Sequence, residues 1–316
     1  MIDRAKKANP FTWLAATALL AMAAMPLAAA DAPAADTLAE TRGSGPFPAV
    51  MESDPGLPNH VIYRPASIAG APKLGVLVWG NGGCTDDGAS ARRHLGEIAS
   101  HGYLVIAGGN IFSGPQAPPG AQAAFRGAGP DGILPSPSTT TEDMRAAIDW
   151  AIAENARKGS RYEGRIDTQA IAAAGHSCGG LQAIQLAADP RVKTVLVHNS
   201  GVYNDGKMHI RDLVLSKDQL ASYHQPVIYI LGGPKDIAYA NGSDDFSRIK
   251  HVPAAMASLD VGHGGTFGEP FGGAAAAVAV DWLDWRLRGD EAAGRTFNGV
   301  NCRLCVGSEW KLERNW

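Results

Sequence analysis

The sequence carries almost no surplus of charge of either sign. Its 28 Lys and Arg stand against 31 Asp and Glu, a formal net charge of −3. That balance gives no electrostatic basis for a nucleic-acid or anionic-membrane partner. Long apolar runs are missing as well. The run from Phe11 to Met25 is short for a membrane span of about 20 residues. No internal repeat is visible, which leaves solenoids and propellers aside. The glycine-rich string Trp79–Cys84, "WGNGGC", lacks the Gly-Lys-Ser/Thr ending of a phosphate loop and the spacing of a dinucleotide fingerprint.

What is present begins with a leader. Arg4, Lys6 and Lys7 precede the apolar run, and Ala28-Ala29-Ala30 offers a small-residue cleavage site before Asp31. Residues 1–30 therefore read as a cleavable signal peptide cut after Ala30. No cysteine stands at the cut, so a lipoprotein is not expected. The mature protein is expected in the periplasm or outside the cell, without a membrane span, where disulfides persist. Residues 31–48, rich in Ala, Pro and Gly, read as a flexible leader.

Residues 49–316 read as one domain, a length that fills one core and does not demand two. Strand-like and helix-like segments alternate through it, the pattern of an α/β domain with a mostly parallel sheet. "HVIYRP", "LGVLVWG", "YLVIAGG", "TQAIAAAG", "KTVLVHNSG", "PVIYILGG" and "AAMASLDVG" are the expected strands. "ASARRHLGEIASHG", "CGGLQAIQLAA" and "AAAAVAVDWLDWRLRG" are expected helices. Thr139 and Glu142 stand at capping-box spacing before another. Ile210 to Ser222 gives room only for a short helical excursion and excludes a large lid. A Gly/Pro-rich loop spans Ser113–Ser138, long enough to be functional or mobile.

The chemistry concentrates in "GHSCGG", where Gly175, Ser177 and Gly179 form G-x-S-x-G between an expected strand and an expected helix. That setting suits a nucleophilic serine on a sharp turn, whose neighbours must be small for strand and helix to approach. A serine hydroxyl needs a base to take its proton and an acid to orient the base. Asp236 follows a strand-ending "GGP" turn, and His263 sits in a Gly-flanked loop after the next strand. Both therefore fall at the carboxyl edge of the sheet, in the order Ser, Asp, His. Asp244, Asp245, Asp260 and Glu269 compete for the acid. His176, His198 and His251 are less well placed for the base, and His176 is expected to pack away from the serine. The oxyanion donors are expected to be the backbone N–H of Cys178 and that of Asn81, with Gly82 next. The Ser113–Ser138 loop, Asn199, Thr266 and Phe267 are expected to shape the pocket.

At these residues the chain resembles the α/β-hydrolase superfamily, and more closely its secreted dienelactone-hydrolase-like and cutinase-like polyester-hydrolase branches. "IASHGYLVI", "GRIDTQAIAAAGHSCGG", "VIYILGGPKD" and "VGHGG" carry the likeness across most of the domain. It implies an α/β-hydrolase fold, a Ser177–Asp236–His263 triad, and an oxyanion hole at Asn81 and Cys178. Those polyester hydrolases usually carry an aromatic residue in the oxyanion loop and a methionine after the serine. Asn81 and Cys178 stand there instead, so the scaffold and the mechanism carry over and polyester activity does not.

Four cysteines allow three pairings. If the oxyanion assignment holds, the loop of Cys84 must approach Cys178, which suggests a Cys84–Cys178 bridge. "NCRLC" then reads as a local Cys302–Cys305 bridge, since a redox motif would open a helix and a zinc site would need two further ligands. A secreted, monomeric carboxylic-ester hydrolase with no metal or organic cofactor is the expectation. Its substrate would be an ester, bulky or polymeric ones included. The rivals are a lactonase, a peptidase or another acyl hydrolase, and a non-enzymatic thiol or binding protein.

Overall fold

A computed structural model describes residues 41–123 and 127–316. The signal peptide, its cut after Ala30 and residues 31–40 of the leader lie outside the described residues.

Among the described residues, runs of β-branched and apolar residues form nine strands. They are β1 (Ala49–Asp54), β2 (Leu57–Pro65), β3 (Leu74–Gly80), β4 (Tyr103–Gly108), β5 (Ile166–His176), β6 (Val192–His198), β7 (Val227–Leu231), β8 (Ala254–Ser258) and β9 (Lys311–Arg314). Six helices accompany them: α1 (Arg92–Ser100), α2 (Thr141–Ala156), α3 (Cys178–Leu186), α4 (Tyr239–Arg248), α5 (Gly273–Arg288) and α6 (Glu291–Gly294). The strands make one sheet in the order β1-β2-β4-β3-β5-β6-β7-β8-β9. Neighbours from β4 through β8 pair in parallel, while β1, β2 and β9 pair antiparallel at the edges. The result is a mixed α/β architecture with a mostly parallel sheet covered by helices.

Two apolar layers result from strand alternation. On β3, Leu74, Val76 and Val78 face the layer that holds Met144 and Ile148 of α2 and Leu181 of α3. Leu77 and Trp79 face the other, with Leu95 of α1 and Trp282 of α5. All these strand residues are buried.

Three expectations need correction. The helix over α2 is capped at Thr140 rather than Thr139, because Asp143 Oδ2 accepts the Thr140 N–H at 2.6 Å and completes the box. The leader is not loose up to residue 48. Ser44 donates to both carboxylate oxygens of Glu97, the N–H of Gly45 reaches Ser100 Oγ, and Thr41 is buried. Of the expected excursion at 210–222, only a 3-10 turn at Lys217–Ser222 forms. The edge strands β1 and β9 and helix α4 had no clear sequence signal.

The chain crosses from β3 to β4 on one side and reaches β5 on the other. Segments leaving the carboxyl ends of β3 and β5 therefore diverge, and an open parallel sheet has its natural crevice there.

Candidate active site

Ser177 lies in that crevice, between β5 and α3. Its backbone sits at φ 53° and ψ −119°, a conformation costing on the order of 1–3 kcal/mol. It is held by the Ser177 N–H bond to the His198 carbonyl and by Ser200 Oγ donating to the Ser177 carbonyl at 2.6 Å. The turn closes only because its neighbours lack side chains. A Cβ on Gly179 would stand 2.0 Å from the carbonyl of Gly80, and one on Gly175 would stand 2.2 Å from the carbonyl of Gly179.

Loops after β7 and β8 bring the other two groups to the serine. His263 Nε2 lies 2.9 Å from Ser177 Oγ, and His263 Nδ1 lies 2.6 Å from Asp236 Oδ1. Asp236 is buried and also accepts the N–H groups of Ala238 at 2.9 Å and Gly232 at 3.2 Å. Burial alone would raise its pKa, but the bonds from His263, Ala238 and Gly232 outweigh it and hold the carboxyl below its usual value. An ionised Asp236 fixes the proton of His263 on Nδ1 and leaves Nε2 free to accept from the serine. The competing acids are engaged elsewhere: Asp244 and Asp245 with Lys217, and Asp260 with Lys235. Glu269 stands at the N-terminal position of the Pro270–Gly272 turn, where its side chain makes no capping hydrogen bond.

The chain after β3 turns through Gly82–Cys84. Asn81 is buried, and its Nδ2 donates to the carbonyls of Thr85 at 2.9 Å and Gly108 at 2.7 Å. Its side chain is thus an anchor, with Oδ1 buried and unpartnered, and Gly83 of the same turn, rather than Asn81, borders the cavity beside Ser177. The Asn81 carbonyl accepts the N–H of Gly179, which ties this turn to the start of α3. A Cys84–Cys178 disulfide, with Cα atoms 5.2 Å apart, makes the same tie covalently. The second bridge joins Cys302 and Cys305. Replacing both Cys84 and Cys178 by serine is expected to lower stability by about 2–4 kcal/mol, since the bridge closes a long loop of the unfolded chain. Urea unfolding of the oxidised and doubly substituted proteins measures the difference.

A cavity of about 90 Å³ opens beside Ser177 and His263. Gly83, Cys178 and Asn199 border its polar end, and Leu134, Leu181, Tyr203, Ile210 and Ile237 give it apolar walls. Leu134 belongs to the long 113–138 loop and is bridged to Ile210, so that part of the loop does shape the pocket. Of Gly82, expected as a reserve oxyanion donor, and Asn199, Thr266 and Phe267, expected in the pocket, Asn199 alone borders this cavity. Gly82 and Phe267 border a neighbouring cleft with Trp79 and His176. Thr266 is buried and spends its hydroxyl on the Gly272 carbonyl and the Ala275 N–H at the start of α5. Thr266 and Phe267 miss the cavity because the chain turns sharply after His263, toward α5, and Gly82 because it packs against the His176 ring.

His176 does more than pack. Its Nε2 lies 2.9 Å from the His263 carbonyl, and since a carbonyl only accepts, His176 must donate. Burial pushes His176 down to about 4, so it is neutral and carries its proton on Nε2. It braces the backbone of the base, a role that its position beside the serine gave no means of foreseeing. Gly83, Leu181, Tyr203, Ile210 and Ile237 were also missed. Ile237 alone left a trace, being an apolar residue directly after the acid and 81% exposed.

No model of a known protein family matches the chain, and no curated protein matches it either. The site therefore stands on its own geometry. Among the described residues, no group of three or more His, Cys, Asp or Glu side chains could hold a metal ion.

Proposed function

We propose that this protein is a serine hydrolase of the α/β-hydrolase type that cleaves carboxylic esters. The observation that carries the reading is the unbroken hydrogen-bond chain from Ser177 Oγ through His263 to the buried Asp236. Strain at Ser177 and the crevice position of the site support it.

In the reaction, Ser177 Oγ attacks the ester carbonyl while His263 Nε2 takes its proton. Asp236 stabilises the imidazolium that forms. The developing oxyanion is held by backbone N–H groups, that of Cys178 at the start of α3 and one from the 81–83 turn. His263 then protonates the leaving alcohol, and the acyl-enzyme is released when His263 activates a water in the same way. The apolar cavity walls favour an uncharged substrate next to the scissile bond.

Two disulfides are consistent with an oxidising compartment, which agrees with secretion to the periplasm or beyond. Among the described residues no helix is long and apolar enough to cross a membrane.

Treatment with a fluorophosphonate is expected to add one phosphonyl group to the peptide that contains Ser177. Peptide mass spectrometry locates the adduct, and a panel of p-nitrophenyl esters, lactones and peptide amides separates the ester reading from its relatives. A protein left unlabelled and inert toward the whole panel would overturn the proposal.

A further inference from the structure

The catalytic cavity does not stand alone. A second cavity of about 120 Å³ lies behind it, and Leu181 and Tyr203 belong to the walls of both. Beyond these two residues the second chamber is lined by Gly206, Lys207, Met208, Leu213, Val214 and Leu215. Its lining is mixed, with four apolar side chains beside Lys207, and Met208 and Val214 are 47% and 72% exposed.

Tyr203 is held firmly in the partition. Its ring stacks on that of His209, with centroids 4.0 Å apart. His209 Nε2 in turn lies 2.9 and 3.0 Å from the two carboxylate oxygens of Asp205. The strip carrying His209 is clipped to the long loop by the Leu134 N–H donating to the His209 carbonyl and the Arg211 N–H donating to the Leu134 carbonyl. On the other side of the tyrosine, the Val202 N–H donates to the buried Asp245 carboxylate at 2.8 Å. Backbone and ring are both anchored, so the wall is a built feature rather than a side chain that swings aside.

The direction of the partition matters. Leu181 lies one turn into α3, the helix whose first residue, Cys178, offers its N–H to the oxyanion. The leaving alcohol must stay within reach of His263, which protonates it. An ester oriented with its acyl chain toward Leu181 and Tyr203 keeps its leaving alcohol beside His263.

We propose that Tyr203 sets the acyl-chain length of the reaction. It closes the catalytic cavity against the second chamber, so the native protein takes esters of short acyl groups. This inference rests on the ester-hydrolase reading and on that orientation of the ester. Without the ring, the two cavities join, and unbranched chains of medium length gain Met208, Leu213, Val214 and Leu215 to bury their methylenes against.

The test compares p-nitrophenyl acetate with p-nitrophenyl octanoate on the native protein, Tyr203→Ala and Tyr203→Phe. The ratio of kcat/KM for octanoate over acetate is expected to rise at least tenfold in Tyr203→Ala and to stay at the native value in Tyr203→Phe, which keeps the ring. Tyr203→Leu serves as a second opening variant if the alanine protein does not fold. Binding of octanoate is measured in parallel by calorimetry on Ser177→Ala with and without Tyr203→Ala. Tighter octanoate binding in the double variant, with no ester turned over by any protein, would remove the hydrolase reading and keep the partition. An unchanged ratio and unchanged octanoate binding would overturn the partition itself.

Discussion

Ser177→Ala is expected to lower kcat on p-nitrophenyl acetate by on the order of 10⁶-fold, and Asp236→Asn by roughly 10⁴-fold. The first removes the atom that forms the acyl-enzyme. The second acts through hydrogen-bond bookkeeping. Asp236 accepts from three donors, His263 Nδ1, the Ala238 N–H and the Gly232 N–H. An asparagine has one oxygen to offer and must point its NH₂ group at one of those donors. Set toward His263, that group reverses the imidazole tautomer and blocks proton removal from Ser177. Set toward Gly232, it leaves a donor facing a donor and an imidazolium with no counter-charge. KM should change little in either variant, because neither group holds the ground-state ester. Cooperative unfolding should persist in Ser177→Ala, since alanine loses only the hydroxyl. Steady-state kinetics on purified variants decide the matter, and a Ser177→Ala protein that keeps more than about 1% of the native rate would assign the reaction elsewhere.

Acidification is expected to destabilise the fold steeply below about pH 6.5. His94 and His198 are fully buried, with rings 4.9 Å apart, and neither has a protein partner for its nitrogens. Burial, joined by repulsion from His176 once that ring is protonated, pushes His94 down to about 3, and burial holds His198 well below its usual range. His176 stands at about 4. Unfolded, all three protonate near the ordinary histidine value of about 6.5. Between that value and about 4 the unfolded chain binds up to three more protons than the folded one, so stability falls as pH falls. Each histidine contributes up to about 1.4 kcal/mol per pH unit. Asp245 works against them. Burial raises it to about 6, so below that pH the folded chain keeps a proton that the unfolded chain loses, until the unfolded carboxyl also protonates near 4. The net slope is therefore about 3 kcal/mol per pH unit through the middle of the window. Urea unfolding from pH 4.5 to 7 measures it. His198→Leu should reduce the slope by about 1.4 kcal/mol per pH unit, and equal slopes in the two proteins would disprove the assignment to buried neutral histidines.

The meeting of Ser177, Asp236 and His263 could be read from the sequence because each follows a strand that announces itself. β5, β7 and β8 are continuous runs of buried residues, and parallel strands release their chains at one edge. Ser177, Asp236 and His263 therefore had to converge once the strands were placed. The Cys84–Cys178 bridge follows from the same logic, since the segments that carry the two cysteines leave the neighbouring strands β3 and β5 at one edge of the sheet. β1 and β9 were not legible: they lie at the sheet edges, pair on one side only and carry mixed polarity. Helix α4, "YANGSDDFSR", lacks a strong helix-former pattern and is held by packing of Phe246 and by Asp245.

Local pattern determined which residues form the strands, where the reactive serine turns, and the order of its partners, because hydrophobic period and glycine placement act over a few residues. Tertiary structure alone decided what surrounds them. Asn81 turned its side chain inward to anchor a loop, His176 came to brace the base, and Thr266 was drawn away to cap α5. Tyr203 and Leu181 became a wall between two cavities. Those roles depend on contacts between segments far apart in the chain, such as Tyr203 with His209 against the Leu134 loop, and no short-range periodicity encodes such a contact.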